Sequence, residues 1–144
     1  MTTENNVLSE IGELFGDNSP QLAICRNIIN HLRSTSLKNL QHLTFSRLRT
    51  IGQSNDDAEL LTVLNFLSMG KFSILVQQYE FLDEEDDDYI TIDKSELVTA
   101  YKKGYLYHPR NGSRIANFKD LVFVYYEALV GKDSIAFQDH MEGQ

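Results

Sequence analysis

The chain has 144 residues, 42% hydrophobic and 24% charged, with 21 acidic against 13 basic side chains and a formal charge of -8. These proportions suit one globular domain and exclude global disorder. No run approaches ~18 consecutive apolar residues, so no membrane-spanning helix is expected, and the single cysteine, Cys25, excludes an internal disulfide.

Met1 to Asn6 shows no basic region followed by an apolar core, so no secretory leader is expected. Val7, Leu8, Ile11, Leu14 and Phe15 then recur at helical spacing and predict a short amphipathic helix ended by Gly16-Asp17-Asn18. Ser19-Pro20 is a helix start: a hydroxyl cap followed by a proline whose missing N–H costs nothing at the first helical position. Leu22, Ile24, Cys25, Ile28, Ile29 and Leu32 form the apolar face of that second helix. Cys25 reads as a small core side chain in a reducing compartment, hence a cytoplasmic protein. A third helix is expected over 37–51, with a break near Thr44. Asp56 and Asp57 cap a fourth that runs to Met69-Gly70.

The period then changes. Phe72 to Phe81 is rich in β-branched and aromatic residues and predicts a strand, and Tyr89 to Ile92 should pair back on it as a hairpin. A helix from Asp93 or Ser95 should stop at Lys102-Lys103-Gly104, and Asn111-Gly112 marks a tight turn. Phe118, Leu121, Val122, Tyr125, Leu129 and Val130 predict a last helix ended by Gly131. Ile135 to Gln144 reads as a short helix or a frayed tail.

Three helices followed by a hairpin with a projecting loop is the order of winged-helix domains. In that order of elements, residues 20–93 resemble the winged helix-turn-helix superfamily, without a residue motif. The expected fold is therefore α+β and mainly helical: a winged-helix-like three-helix core with a β-hairpin, followed by C-terminal helices. Residues 1–19 would be an N-terminal helical extension and 94–144 a C-terminal one packed on the core, one domain overall. The resemblance implies a DNA-reading third helix, and the residues oppose that role. Asp57 to Met69 has no Lys or Arg, whereas base and phosphate contacts need such donors. DNA binding would need another face, such as Arg33, Arg47 and Arg49.

The charge excess is local. Residues 54–100 hold twelve acidic side chains against Lys71 and Lys94, while the segments on either side are each net +1. Six of the twelve are consecutive: Asp83, Glu84, Glu85, Asp86, Asp87 and Asp88. As a calcium loop the run fails, because Asp88 stands where the sharp turn needs glycine and Lys94 where the closing glutamate belongs. No nucleophile–base pair, metal-ligand spacing or phosphate-binding glycine loop is present, so neither enzymatic chemistry nor a cofactor is expected. The remaining reading is a non-enzymatic interaction module, an adaptor or accessory subunit of a larger intracellular complex. Its partner would be a protein with a basic surface, met by the acidic run and by Tyr105, Tyr107 and Arg110 in the aromatic 101–114 stretch. The alternatives are a DNA-binding regulator and an acidic inhibitor that covers a basic nucleic-acid-binding surface.

Overall fold

The computed structural model describes residues 3–69 and 72–134, with side chains from residue 6 onward. The fold is α+β and mainly helical. Among the described residues five α-helices, α1 (Thr3–Phe15), α2 (Pro20–Ser34), α3 (Phe45–Gly52), α4 (Asp57–Met69) and α5 (Lys94–Lys103), accompany six strands. The strands are β1 (Leu43–Thr44), β2 (Leu75–Asp83), β3 (Asp88–Ile92), β4 (Leu106–Tyr107), β5 (Arg114–Ile115) and β6 (Val122–Ala128). They form a four-stranded antiparallel sheet in the order β1-β6-β2-β3 and a separate β4-β5 pair. The chain divides into two compact units, Met1–Val76 with Tyr126–Gln144, and Gln77–Tyr125. Among the described residues no helix is long and apolar enough to cross a membrane.

The first unit is organised on α2, which packs against α1, α3 and α4. Its start is set by local chemistry: Ser19 Oγ accepts from the Leu22 N–H at 3.1 Å, with Pro20 in the first turn. Three neighbours require a broad apolar face, and Leu22, Ile24, Cys25, Ile28, Ile29 and Leu32 are all buried. Asn27 donates to the Gly52 carbonyl at 2.9 Å. Asp56 Oδ1 accepts from the Ala58 and Glu59 N–H groups and caps α4. The predicted helix over 37–51 is instead a 3-10 turn (Leu37–Asn39), β1 and the shorter α3. The break falls at Thr44, whose hydroxyl accepts from Arg47 N and caps the new helix. In α1 only part of the expected face is used: Val7 and Ile11 are buried while Leu14 is 62% exposed. Gly70, expected to stop α4, and the expected tail helix over 135–144 lie outside the described residues.

The close of this unit corrects the sequence reading. Residues 118–130 do not form a helix; a 3-10 turn (Phe118–Asp120) leads into strand β6. The 3–4 spacing of apolar residues there is incidental to a continuous run, Val122-Phe123-Val124-Tyr125-Tyr126, of β-branched and aromatic residues that favour extended backbone. Among the described residues, the part after the hairpin therefore contains one α-helix, α5, and the strands β4, β5 and β6. At its end the Ala128 N–H donates to the Leu40 carbonyl at 2.8 Å and the Leu129 N–H to the Ile74 carbonyl at 2.9 Å. Gly131, expected as a helix stop, instead sits flat against the backbone of residues 35–37.

Cys25 is fully buried, and burial pushes its thiol up to about 12, only partly opposed by the neighbouring Arg26 charge. A thiol raised in this way stays protonated at neutral pH and packs as a small apolar side chain. Cys25 should react with an aromatic disulfide reagent only at the rate at which the protein unfolds. Rapid stoichiometric labelling under native conditions would overturn the core assignment.

The second unit is built on the β2–β3 hairpin, whose register pairs Tyr79 with Ile92 and Asp83 with Asp88. One face carries the core: Phe81, Ile92, Leu97, Ala100, Leu106 and Phe118. Leu97 and Ala100 come from α5, which ends at Gly104 with φ +87° and its N–H on the Ala100 carbonyl, as the Lys-Lys-Gly sequence predicts. The Asn111-Gly112 turn closes β4-β5, with Gly112 at φ +74° and Asn111 Oδ1 accepting from the Ser113 N–H.

Candidate functional site

The acidic run is not a loop of six solvated charges. Strand β2 extends to Asp83 and β3 begins at Asp88, so only residues 84–87 form the turn. Asp87 takes φ +52°, a left-handed conformation that aspartate tolerates better than most residues. The register sets Asp83 directly across from Asp88, and like charges in that position oppose pairing. Arg110 reverses the sign. Its Nη1 and Nη2 donate to the two carboxylate oxygens of Asp88 at 2.9 and 2.7 Å, a bidentate fork. Nη1 also lies 2.9 Å from Asp83 Oδ2 and 2.8 Å from Asp86 Oδ2. One guanidinium thus joins three carboxylates (Nη1 shares two hydrogens among three acceptors).

The three carboxylates bring one oxygen each within 4.8 Å of one another, a spacing a metal ion could use, and the cation among them is the Arg110 guanidinium. Asp83 is 1% exposed. Its burial pushes the carboxyl up, but the facing His108, the Glu85 N–H and Arg110 together outweigh that and hold it below the usual carboxylate range. The Arg110 hydrogen bonds hold Asp88 down as well, and they raise the guanidinium further above its ordinary value.

His108 places the arginine. It is buried, with its ring edge-on to Phe81 at 5.3 Å. Nδ1 accepts from the N–H groups of Arg110 and Asn111 at 3.1 and 3.3 Å, which assigns the ring proton to Nε2. Nε2 lies 3.2 Å from Asp83 Oδ1, a short electrostatic contact without the alignment of a hydrogen bond.

The structure therefore unites Asp83, Asp86, Asp88 and Arg110, and leaves Glu84, Glu85 and Asp87 exposed at the turn. Arg110 bonds the acidic turn rather than the Tyr105–Tyr107 pair and stays partly exposed. The sequence reading missed His108. Its signal was faint: a histidine two residues before an arginine, at the entry to an Asn-Gly turn.

Tyr105 and Tyr107 form a second cluster. Their hydroxyls are 3.3 Å apart and their rings meet edge to face at 5.2 Å. Arg114 lies over the Tyr105 ring at 4.7 Å and Lys103 over the Tyr107 ring at 5.9 Å. The shared hydrogen bond raises Tyr105 and lowers Tyr107, the latter helped by the Arg114 and Lys103 charges. Of the basic face considered for nucleic acid, Arg49 is engaged by Asp57 through two hydrogen bonds of 2.8 and 3.2 Å and stacks on Phe45.

Compared with protein families, with curated proteins and with solved structures, the chain finds no match in any of the three.

Proposed function

We propose that the chain is a non-enzymatic protein-interaction module, an adaptor or accessory subunit of an intracellular complex, that recognises a basic protein surface through the acidic turn. The observation that carries this reading is the Arg110 latch. By binding Asp83, Asp86 and Asp88 it holds the hairpin end in one conformation, so Glu84, Glu85 and Asp87 are displayed at little further entropic cost. A fixed cluster of exposed carboxylates steers a cationic partner and speeds encounter more than it slows release. The order α2, α3, α4 and then the β2–β3 hairpin supports a winged-helix-like core turned from DNA to protein contacts, and the single buried thiol fits an intracellular setting.

The test keeps the latch and removes the display. Glu84→Gln, Glu85→Gln and Asp87→Asn together should fold normally and capture less of a defined partner from native lysate. With the captured partner purified, the association rate should fall by about tenfold or more at low salt. The difference should shrink as ionic strength rises. Identical partners, rates and salt dependence for both proteins would refute the acidic turn as the recognition element.

A further inference from the structure

A second surface of the Gln77–Tyr125 unit has the opposite chemistry and is independent of the acidic turn. An open groove of about 350 Å³ runs between α5 and β4. The Ser95, Thr99 and Lys103 side of α5 forms one wall, and Tyr105 and Tyr107 form the other. The buried Ala100 and Leu106 give it an apolar floor. Its volume falls within the range of small-molecule sites, which combine apolar lining with a few placed polar groups.

Besides the Glu96 carboxylate and the acceptor lone pairs of Ser95 and Thr99, this groove holds unpaired donors. Ser95 Oγ already donates to Asp93 and Thr99 Oγ1 to the Ser95 carbonyl. The Tyr105–Tyr107 contact consumes one hydroxyl proton and leaves the other. Lys103 and Arg114 pair with no carboxylate among the described residues and rest instead on tyrosine rings. That is unexpected in a chain with 21 acids and 13 bases, where carboxylates are in excess. The one acid in the lining, Glu96, is two helical turns from Lys103, about 10 Å along the axis, too far to neutralise it. Lys103 in the lining, Arg114 outside it over the Tyr105 ring, and a spare phenol proton thus gather at one end of an apolar trough, and Glu96 at the other end disfavours a second negative charge there.

We infer that the groove between α5 and β4 is a binding site for a small organic anion, a carboxylate or phosphate monoester, with its charged head between Lys103, Arg114 and Tyr107 and an apolar body over Ala100 and Leu106. Lys103 and Arg114 supply charge-assisted hydrogen bonds to the head. The tyrosine rings hold both cations at the rim and line the side of the trough, which selects an anion carrying a flat or aliphatic body over inorganic phosphate.

Phenyl phosphate, benzoate, inorganic phosphate and the neutral benzyl alcohol are the probes, titrated into the full-length chain at constant ionic strength. Amide shifts of residues 95–107 locate binding. Phenyl phosphate or benzoate should give saturable shifts confined to the groove, with benzyl alcohol and inorganic phosphate at least about tenfold weaker. Lys103→Gln and Arg114→Gln should each weaken the anion by about tenfold, while Lys103→Arg retains binding and all three melt like the wild type. Absence of saturable groove shifts with both organic anions would overturn the proposal. So would equal binding of the alcohol, or unchanged affinity in both charge-removing variants. These outcomes leave the reading of the acidic turn untouched.

Discussion

Arg110→Gln should lower the melting temperature by on the order of 10 °C, because it removes the one cation that makes the hairpin end compatible with its own sequence. Without the guanidinium, Asp83, Asp86 and Asp88 are left as like charges within 4.8 Å, and buried Asp83 loses a charged donor. Glutamine keeps most of the aliphatic reach, so the loss reports charge and the bidentate fork; Arg110→Lys, a point charge without the fork, should fall between. The effect has a defined pH dependence. Arg110 holds the Asp88 carboxyl below its ordinary value in the folded protein and adds to the larger lowering of Asp83 by His108 and the Glu85 N–H, so the folded state binds fewer protons than the unfolded state through that range. The latch therefore stabilises fully above about pH 4, and its contribution is lost as pH falls from there through the depressed folded-state values. Urea midpoints for wild type and Arg110→Gln should differ most at neutral pH and converge in acid. A gap of the same size at pH 7 and pH 3 would show that Arg110 acts by packing rather than charge.

Gly131→Ala should cost about 2–3 kcal/mol, the upper part of the range for overpacking a closed site. A methyl group at residue 131 would lie 2.8 Å from Leu37 N, 2.9 Å from the Thr35 carbonyl oxygen and 3.0 Å from Leu37 Cα. All three are backbone atoms, so no side-chain rotation relieves the contact. The same contact is tied by hydrogen bonds: Lys132 N donates to the Thr35 carbonyl, Leu37 N to Asp133 Oδ1, and Gly131 N to Ser134 Oγ. Displacing residue 131 therefore threatens the whole clasp. Gly12→Ala in α1 provides the contrast. Its added methyl meets only the tips of Asp17 and Leu22 at 3.3 and 3.8 Å, and alanine is the better helix former. Chemical denaturation of the two variants should separate them clearly. A Gly131→Ala protein as stable as wild type would mean that residues 35–37 yield freely.

What could be read from the sequence was the chemistry that closes within a few residues. Ser19-Pro20, Asp56, Lys102-Lys103-Gly104 and Asn111-Gly112 each satisfy backbone groups locally, and each does so in the structure. The α+β character followed from the change of period after residue 71. Residues 118–130 misled because Phe118, Leu121, Val122, Tyr125 and Leu129 fit a helical stripe, while a run of β-branched and aromatic residues fits a strand equally well; long-range pairing decided between them. The acidic run was visible as charge, but its partner was not. Arg110 lies 22 to 27 residues from the carboxylates it binds, beyond any periodic pattern. A weaker clue was available in the composition: a β-turn of like charges needs a counterion, and the second hairpin offers an arginine at its tip.

The division of the chain bears on the order in which it can assemble. Gln77–Tyr125 is one unbroken stretch, whereas the first unit needs residues on both sides of it. On the ribosome the inserted stretch has all of its own residues before Ala128 and Leu129 emerge to bond Leu40 and Ile74. The helical part waits for its last strand, and closing so long an intervening loop is slow. The same bond between Leu129 and Ile74 makes the points of departure and return neighbours within the first unit. A short reverse turn between those points could replace the whole insert, which makes this junction a natural place for gain, loss or exchange of a module during evolution.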